Sequence, residues 1–187
     1  MFKTSLEKQI VGVVGPSCSG KTLTTIWLVV ALREKLGPKK SRGAIKVIRT
    51  NRLVRSLADC SENRSDLANH GQKLRLADLI VSEINNSSAT FFIIDALRKS
   101  EDGDIPRYIL SVEASVRVRC HRANQRLRGA KRYPDISTFT KAVDSHPVES
   151  EVPDLIERAN RWIENEGDDK KGLGQSIEFL LDLLWDF

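Results

Sequence analysis

The sequence predicts an α/β fold in which a five-stranded parallel sheet is flanked by helices and carries a small helical lid. Three observations point there. Short apolar runs alternate with stretches of helical period along the chain, the pattern of a parallel sheet covered by helices. One such run, Ile10-Val11-Gly12-Val13-Val14, leads directly into the glycine-rich segment Gly15-Pro16-Ser17-Cys18-Ser19-Gly20-Lys21-Thr22. Another, Thr90-Phe91-Phe92-Ile93-Ile94-Asp95, is continuously apolar and ends in a carboxylate, as a strand buried on both faces would.

The elements follow in order. Ile10 to Val14 is the first strand. From Lys21 to Leu36 the period turns helical, with Leu23, Ile26, Trp27, Val30 and Ala31 as the expected buried stripe, and Gly37-Pro38 stops the helix. Ala44 to Ile48 reads as the second strand. Leu53 to Asn85 is helical in period, broken around Asp59 to Asn63. Thr90 to Asp95 is the third strand and Tyr108 to Val112 the fourth, followed by a helix over Val116 to Leu127. Arg128 to Ile136 is basic, contains Gly129 and Pro134, and reads as a mobile loop. Helical stretches follow at Ile136 to Asp144 and Pro153 to Asn160. Trp162-Ile163 is a last short strand, and an amphipathic helix from Leu173 to Leu184 buries Ile177, Leu180, Leu181 and Leu184.

At 187 residues the chain suits a single domain with a full core. Within it, residues 44–89 are expected to form an acceptor-binding region and 116–150 a lid. No apolar run approaches the roughly 20 residues of a membrane span, and the first residues lack the apolar stretch of a secretory signal, so a cytoplasmic protein with no membrane partner is expected. The three cysteines, Cys18, Cys60 and Cys120, are odd in number and lie far apart, and no paired spacing suggests a zinc site or a disulfide framework. Net charge is +5, favouring polyanionic partners without choosing between nucleotide and nucleic acid. Basic residues gather in Lys39 to Arg42, Arg49 to Arg55 and Arg117 to Arg132, while the last third is acidic.

The Gly-x-x-x-x-Gly-Lys-Thr spacing is that of a phosphate-binding P-loop, the Walker A motif. Phosphates are multiply charged and need many donors at short range. The two glycines let successive amides point inward, and the loop opens a helix whose positive end faces the phosphates. Gly15, Ser17, Cys18, Ser19 and Gly20 would cradle a nucleoside triphosphate, Lys21 would reach its β and γ oxygens, and the Thr22 hydroxyl would ligate magnesium. ATP and Mg2+ are therefore the expected cofactors, and the fold is expected to be that of a P-loop NTPase. Cys18 sits among exposed amides beside a lysine, a setting that activates thiols, although a small filler residue is the plainer reading.

Asp95, at the carboxyl end of a buried strand, stands where a P-loop enzyme places its second magnesium ligand. Taken alone it would read as a turn or helix-capping aspartate. Arg119, Arg122 and Arg126 recur at helical spacing and share one face. Such stacked charges suit a polyphosphate lying across them, with Arg122 and Arg126 acting on the transferred phosphoryl group; alone, they would be a solvated basic face.

The order of these features resembles the P-loop nucleoside and nucleotide kinase superfamily: deoxynucleoside-monophosphate kinases, dephospho-coenzyme A kinases, adenylate kinases and the kinase-like domains of some deoxycytidylate deaminases. The resemblance spans about Ile10 to Leu184. Ile48-Arg49-Thr50-Asn51-Arg52-Leu53-Val54-Arg55 is similar to their Thr-Gly-Asp-x-x-Arg segment, with Asn51 and Arg52 departing from it. Arg64-x-x-Leu67-x-x-x-Gly71-x-x-Leu74-Arg75 is similar to the helical acceptor segment, and Asp95-Ala96-Leu97-Arg98 to an Asp-Gly-x-Arg strand end with Ala96 for glycine. Ala159-Asn160-Arg161-Trp162-Ile163-Glu164-Asn165-Glu166-Gly167 resembles the strand whose loop lies by the donor adenine. The resemblance implies that Thr50, Arg55, Arg64, Arg75 and Arg98 contact the acceptor. It also implies that Arg119, Asn165 and Gly167 contact the donor, and that Arg128 to Tyr133 closes over both.

Dephospho-coenzyme A kinases resemble one another in an acid just after strand two, which could take a hydroxyl proton. Here Thr50-Asn51-Arg52-Leu53 contains none, which tilts the expectation towards a nucleotide acceptor whose nucleophile is already an anionic phosphate; Asp95 could still serve as a base. A zinc deaminase is excluded, because His146 is followed by Pro147-Val148-Glu149 and no paired cysteines exist. The leading expectation is transfer of the γ-phosphate of ATP to a nucleoside or deoxynucleoside monophosphate. A catalytically weak nucleotide-binding module acting through a partner, with the Leu180 to Phe187 end as a docking surface, remains an alternative. So does alcohol phosphorylation. Nucleic acid is the less favoured partner, because few aromatic rings interleave with the basic residues.

Overall fold

The computed structural model describes residues 8–53, 76–126, 132–167 and, near the end of the chain, 177–178 and 181–182. Five strands form one sheet: β1 (Gln9–Val14), β2 (Ile45–Arg49), β3 (Phe91–Asp95), β4 (Tyr108–Glu113) and β5 (Arg161–Glu164). Their order is β2-β3-β1-β4-β5 and every pair is parallel. The helices are α1 (Lys21–Lys40), α2 (Leu76–Asn85), α3 (Val116–Arg126), α4 (Ile136–Phe139) and α5 (Val152–Glu157). A π turn over Thr140–Asp144 extends α4, and short 3-10 turns lie at Ser100–Asp104 and Pro147–Glu149.

Alternation along the strands divides the core between the two faces of the sheet. Val11, Val13, Ile93, Leu110 and Val112 face α1, where Leu28 and Leu32 pack with Ile163, Ile177 and Leu181. Phe92, Ile94 and Ile109 face the other way, against Ile80 and Ile84 of α2 and Val152 and Leu155 of α5. Helices on both faces explain why β3 reads as an unbroken apolar run. Among the described residues no helix is long and apolar enough to cross a membrane.

Helix α1 corrects one expectation. Leu23, Ile26 and Val30 are exposed, whereas Lys21, Thr24, Thr25, Leu28 and Leu32 are buried. The P-loop sets the roll of this helix: Lys21 must turn inward, and residues three, four, seven and eleven places later then share its face. Of the expected stripe, Trp27 and Ala31 pack half-buried against the core, while hydropathy alone misplaces the other three. The regular helix stops at Gly37, whose φ of 76° is non-helical, and a further turn carries the chain to Lys40.

The topology fixes where a ligand can sit. From central β1 the chain leaves through α1 for the far edge at β2, comes back to β3, and crosses β1 to β4 on the other side. Crevices in open α/β sheets lie at the carboxyl ends of strands where the winding reverses. Here that place holds Gly15, Thr50 and Asp95, and a cavity of about 790 Å3 opens over it.

Candidate functional site

The turn from β1 into α1 uses left-handed backbone at Gly15, Cys18 and Gly20, with φ of 143°, 65° and 108°. A Cβ on Gly15 would overlap the Val112 carbonyl of β4, and one on Gly20 would overlap the Asn165 amide. Gly15 therefore requires glycine on space as well as on dihedral angle, whereas at Gly20 the dihedral angle is the requirement, because the Asn165 side chain can shift. Cys18 adopts the same backbone region with a side chain, which lines the cavity. Inside α1, Thr24 is the residue whose N–H bonds back to Gly20 O at 3.1 Å. The first-turn amides of Lys21, Thr22 and Leu23 precede the helical ladder and form a donor set for an anion.

Lys21 is buried, at 7% exposure. Its ammonium donates to Gly15 O at 2.6 Å and Pro16 O at 2.7 Å. Burial pulls its pKa from 10.5 down to about 7, and the Arg98 guanidinium pushes the same way; Glu149, Asp95 and Cys18 oppose them. A group in this state regains its charge readily when a polyanion arrives.

Asp95 ends β3 beside the P-loop, paired in register with Val13 of β1 and Arg49 of β2. It too is buried at 7% exposure, and its Oδ1 accepts no hydrogen bond. Burial raises its pKa above the usual carboxylate value, while Lys21 and the hydroxyls of Thr25 and Thr22 hold it down. An unpartnered carboxylate oxygen next to the Thr22 hydroxyl is the chemistry a hard cation would complete. Magnesium keeps most of its ligands as water and phosphate oxygen, so one carboxylate and one hydroxyl suffice from the protein. Among the described residues no group of three or more metal-ligating side chains exists.

Thr50 and Ala96 shape the turn that presents Asp95. The Thr50 hydroxyl is shared between Asp95 O at 3.0 Å and Ala96 O at 2.8 Å. Its proton thus braces the backbone, and what it offers an acceptor is limited to its lone pairs. Ala96 has φ 71°, in the left-handed region.

The arginine face of α3 does turn towards the P-loop, and its three members differ. Arg119 is buried and makes a two-pronged ion pair with Asp144, at 2.6 and 2.8 Å, with a further bond to Ser17 O at 3.4 Å. Arg122 donates to Ser19 O at 3.1 Å and to Asn165 O at 2.9 Å. Asn165 Nδ2 also donates to Ser19 O, at 2.8 Å. Arg126 lines the cavity and lies 3.9 Å from the Cys18 sulfur. Arg119, Arg122 and Asn165 thus hold the outside of the P-loop, whereas Arg126 reaches its inner rim. Gly167 has open space around it.

On the opposite wall, Arg98 lines the cavity, and its guanidinium is ion-paired with Glu149. Glu149 also accepts from the Ser17 amide at 3.1 Å and the Ser17 hydroxyl at 2.8 Å. Nearby, Lys99 pairs with Glu151 at 2.6 Å. Arg55, Arg64 and Arg75 lie outside the described residues. Sequence reasoning missed Glu149 and Asp144, because acids in an acidic stretch read as solvated charge; no spacing in the sequence marks them.

No protein-family model and no curated protein sequence matches the chain. Solved structures do match. TT1252 from Thermus thermophilus is 18% identical over 95% of this chain and 98% of its own, with a TM-score of 0.60. Shikimate kinase from Bacteroides thetaiotaomicron is 10% identical over 94% and 98%, with a TM-score of 0.58. Shikimate kinase from Acinetobacter baumannii, in complex with shikimate, is 10% identical over 95% and 93%, with a TM-score of 0.53. At these identities the likeness is one of fold: the chain has the α/β P-loop NTPase fold, a five-stranded parallel sheet flanked by helices, shared with the shikimate kinases.

Proposed function

We propose that the protein is an ATP-dependent phosphotransferase of the nucleotide-kinase type, moving the γ-phosphate of ATP to a nucleoside or deoxynucleoside monophosphate. The observation that carries this reading is the convergence of Lys21, Thr22 and Asp95 on one cavity whose other wall holds Thr50, Asn51 and Arg98. That arrangement supports a donor side and an acceptor side facing one another across a single cavity.

Lys21 and the P-loop amides beyond Ser17 bind and orient the triphosphate, and the recharged ammonium offsets negative charge on the β and γ oxygens. Thr22 and Asp95 would hold Mg2+, which would supply further neutralisation of the triphosphate's charge. Arg126 stands at the rim, placed to meet the transferred phosphoryl group. Arg119, Arg122 and Asn165 fix the loop against α3 and β5, which keeps the donor geometry from drifting. A phosphate acceptor needs positioning more than deprotonation, and the absence of a carboxylate in Thr50-Asn51-Arg52-Leu53 supports that class.

One observation favours a second reading, transfer to an alcohol: a structure with this fold holds shikimate, not a nucleotide acceptor. Purified protein with ATP, Mg2+ and a panel of ribo- and deoxynucleoside monophosphates separates the readings. Nucleoside diphosphate formed from one or more panel members is the expected result. ATP binding with no diphosphate product would favour the alcohol acceptor or a regulatory nucleotide-binding module.

A further inference from the structure

Glu149, which bonds to two residues of the cavity wall, Ser17 and Arg98, is the residue that the phosphotransferase reading leaves unexplained. It is only 8% exposed, and buried carboxylates are costly unless paired. Its partners are the Ser17 amide, the Ser17 hydroxyl and the Arg98 guanidinium. A backbone N–H of a P-loop, a hydroxyl and an arginine form the donor set that binds an oxyanion. The carboxylate reaches this position from the 3-10 turn Pro147–Glu149, which is anchored on both sides. Asp144 is tied to Arg119, itself bonded to Ser17 O, and Glu151 accepts from the Ser100 amide at 2.9 Å and from Lys99. The backbone is therefore held while the Glu149 side chain spans the gap between P-loop and acceptor wall.

We propose that Ser17 and Arg98 form an oxyanion subsite at the donor–acceptor boundary and that Glu149 is its built-in competitor, displaced when an anionic group of the acceptor binds. The inference rests on the reading of an anionic acceptor, and it names the contact by which the site recognises one. Without an anion, Glu149 keeps Arg98 oriented and its charge compensated. With one, the guanidinium and the Ser17 donors pass to the ligand, and the carboxylate turns away because like charges cannot share three donors. Neutral acceptors cannot displace it, so Glu149 selects for charge.

Inorganic phosphate titrated into protein presaturated with ADP and Mg2+ tests this without turnover, ADP binding being verified first. Glu149→Gln keeps the shape and removes the charge. It should bind phosphate about tenfold more tightly than wild type, the usual worth of a hydrogen bond to a charged group. Adding Arg98→Met to that variant should abolish the gain. Equal or weaker binding by Glu149→Gln would overturn the proposal, as would a gain that survives the loss of Arg98. Should the Gln variant not fold, nitrogen-15 NMR of the wild type decides: phosphate should shift the Ser17 amide and the Arg98 guanidinium together, and a titration that moves neither overturns it. Failure to form diphosphates alongside the expected phosphate results would count against the kinase reading alone.

Discussion

Lys21 folds back on the loop that carries it, its ammonium 2.6 Å from the Gly15 carbonyl. The pair ties the state of the P-loop to pH. In the unfolded chain the amine keeps its proton to about 10.5, whereas burial in the folded chain lowers that to about 7. Between those values the unfolded state binds more protons, so the Lys21 contribution makes nucleotide-free protein more stable as pH rises across the window. Below it the burial cost is present in full. Triphosphate binding restores the charge, so calorimetry at pH 8 in buffers of different ionisation enthalpy should register uptake of about one proton per nucleotide.

Lys21→Met keeps the bulk and discards the buried charge. Nucleotide-free protein at pH 6 should be at least as stable as wild type by denaturant titration. Triphosphate affinity should fall by about tenfold or more, because several charge-assisted bonds are lost.

Asp95→Asn is expected to separate stability from function in the same way. A folded pKa above the unfolded 3.8 means that the charged carboxylate destabilises the fold. Its contribution is most favourable at low pH and is lost as pH rises through the shifted value. At pH 7, without magnesium, the Asn variant should therefore melt at or above the wild-type temperature. Its magnesium-dependent turnover should be abolished.

Ala96→Gly tests the strained turn. A left-handed alanine costs about 1–2 kcal/mol, offset in part by the extra freedom glycine brings to the unfolded chain. A net gain of about 0.5–1 kcal/mol in denaturant unfolding is expected. Thr50→Val, which removes the brace on the same turn, should be destabilising by about 1 kcal/mol.

Arg119→Met leaves Asp144 without its ion-pair partner and should cost about 2–3 kcal/mol. Arg119→Met combined with Asp144→Asn should recover part of that loss in a double-mutant cycle.

The sheet, its strands and the P-loop were legible in the sequence because each rests on a local signal: apolar runs, glycine spacing, a carboxylate at a strand end. The roll of α1 was not, because Leu23, Ile26 and Val30 make the more apolar stripe while Lys21 decides the inner face. Glu149 was invisible for another reason. Its partners lie 132 and 51 residues away along the chain, and only the fold brings an acid from the last third onto Ser17. Thr50 lines the cavity, yet its hydroxyl proton goes to backbone carbonyls, which the sequence does not encode locally. The Arg119/Arg122/Arg126 spacing predicted a shared face correctly, but not that Asp144 and Asn165 would already occupy two of its members.

The most direct measurement of the central claim follows γ-labelled ATP with Mg2+ across the nucleoside monophosphate panel, wild type beside Lys21→Met and Asp95→Asn. The label should pass from ATP to one or a few monophosphates, one ADP appearing for each diphosphate formed, and both variants should lose the transfer. Label that stays on ATP or appears only as free phosphate across the whole panel, from protein that binds ATP, would contradict it.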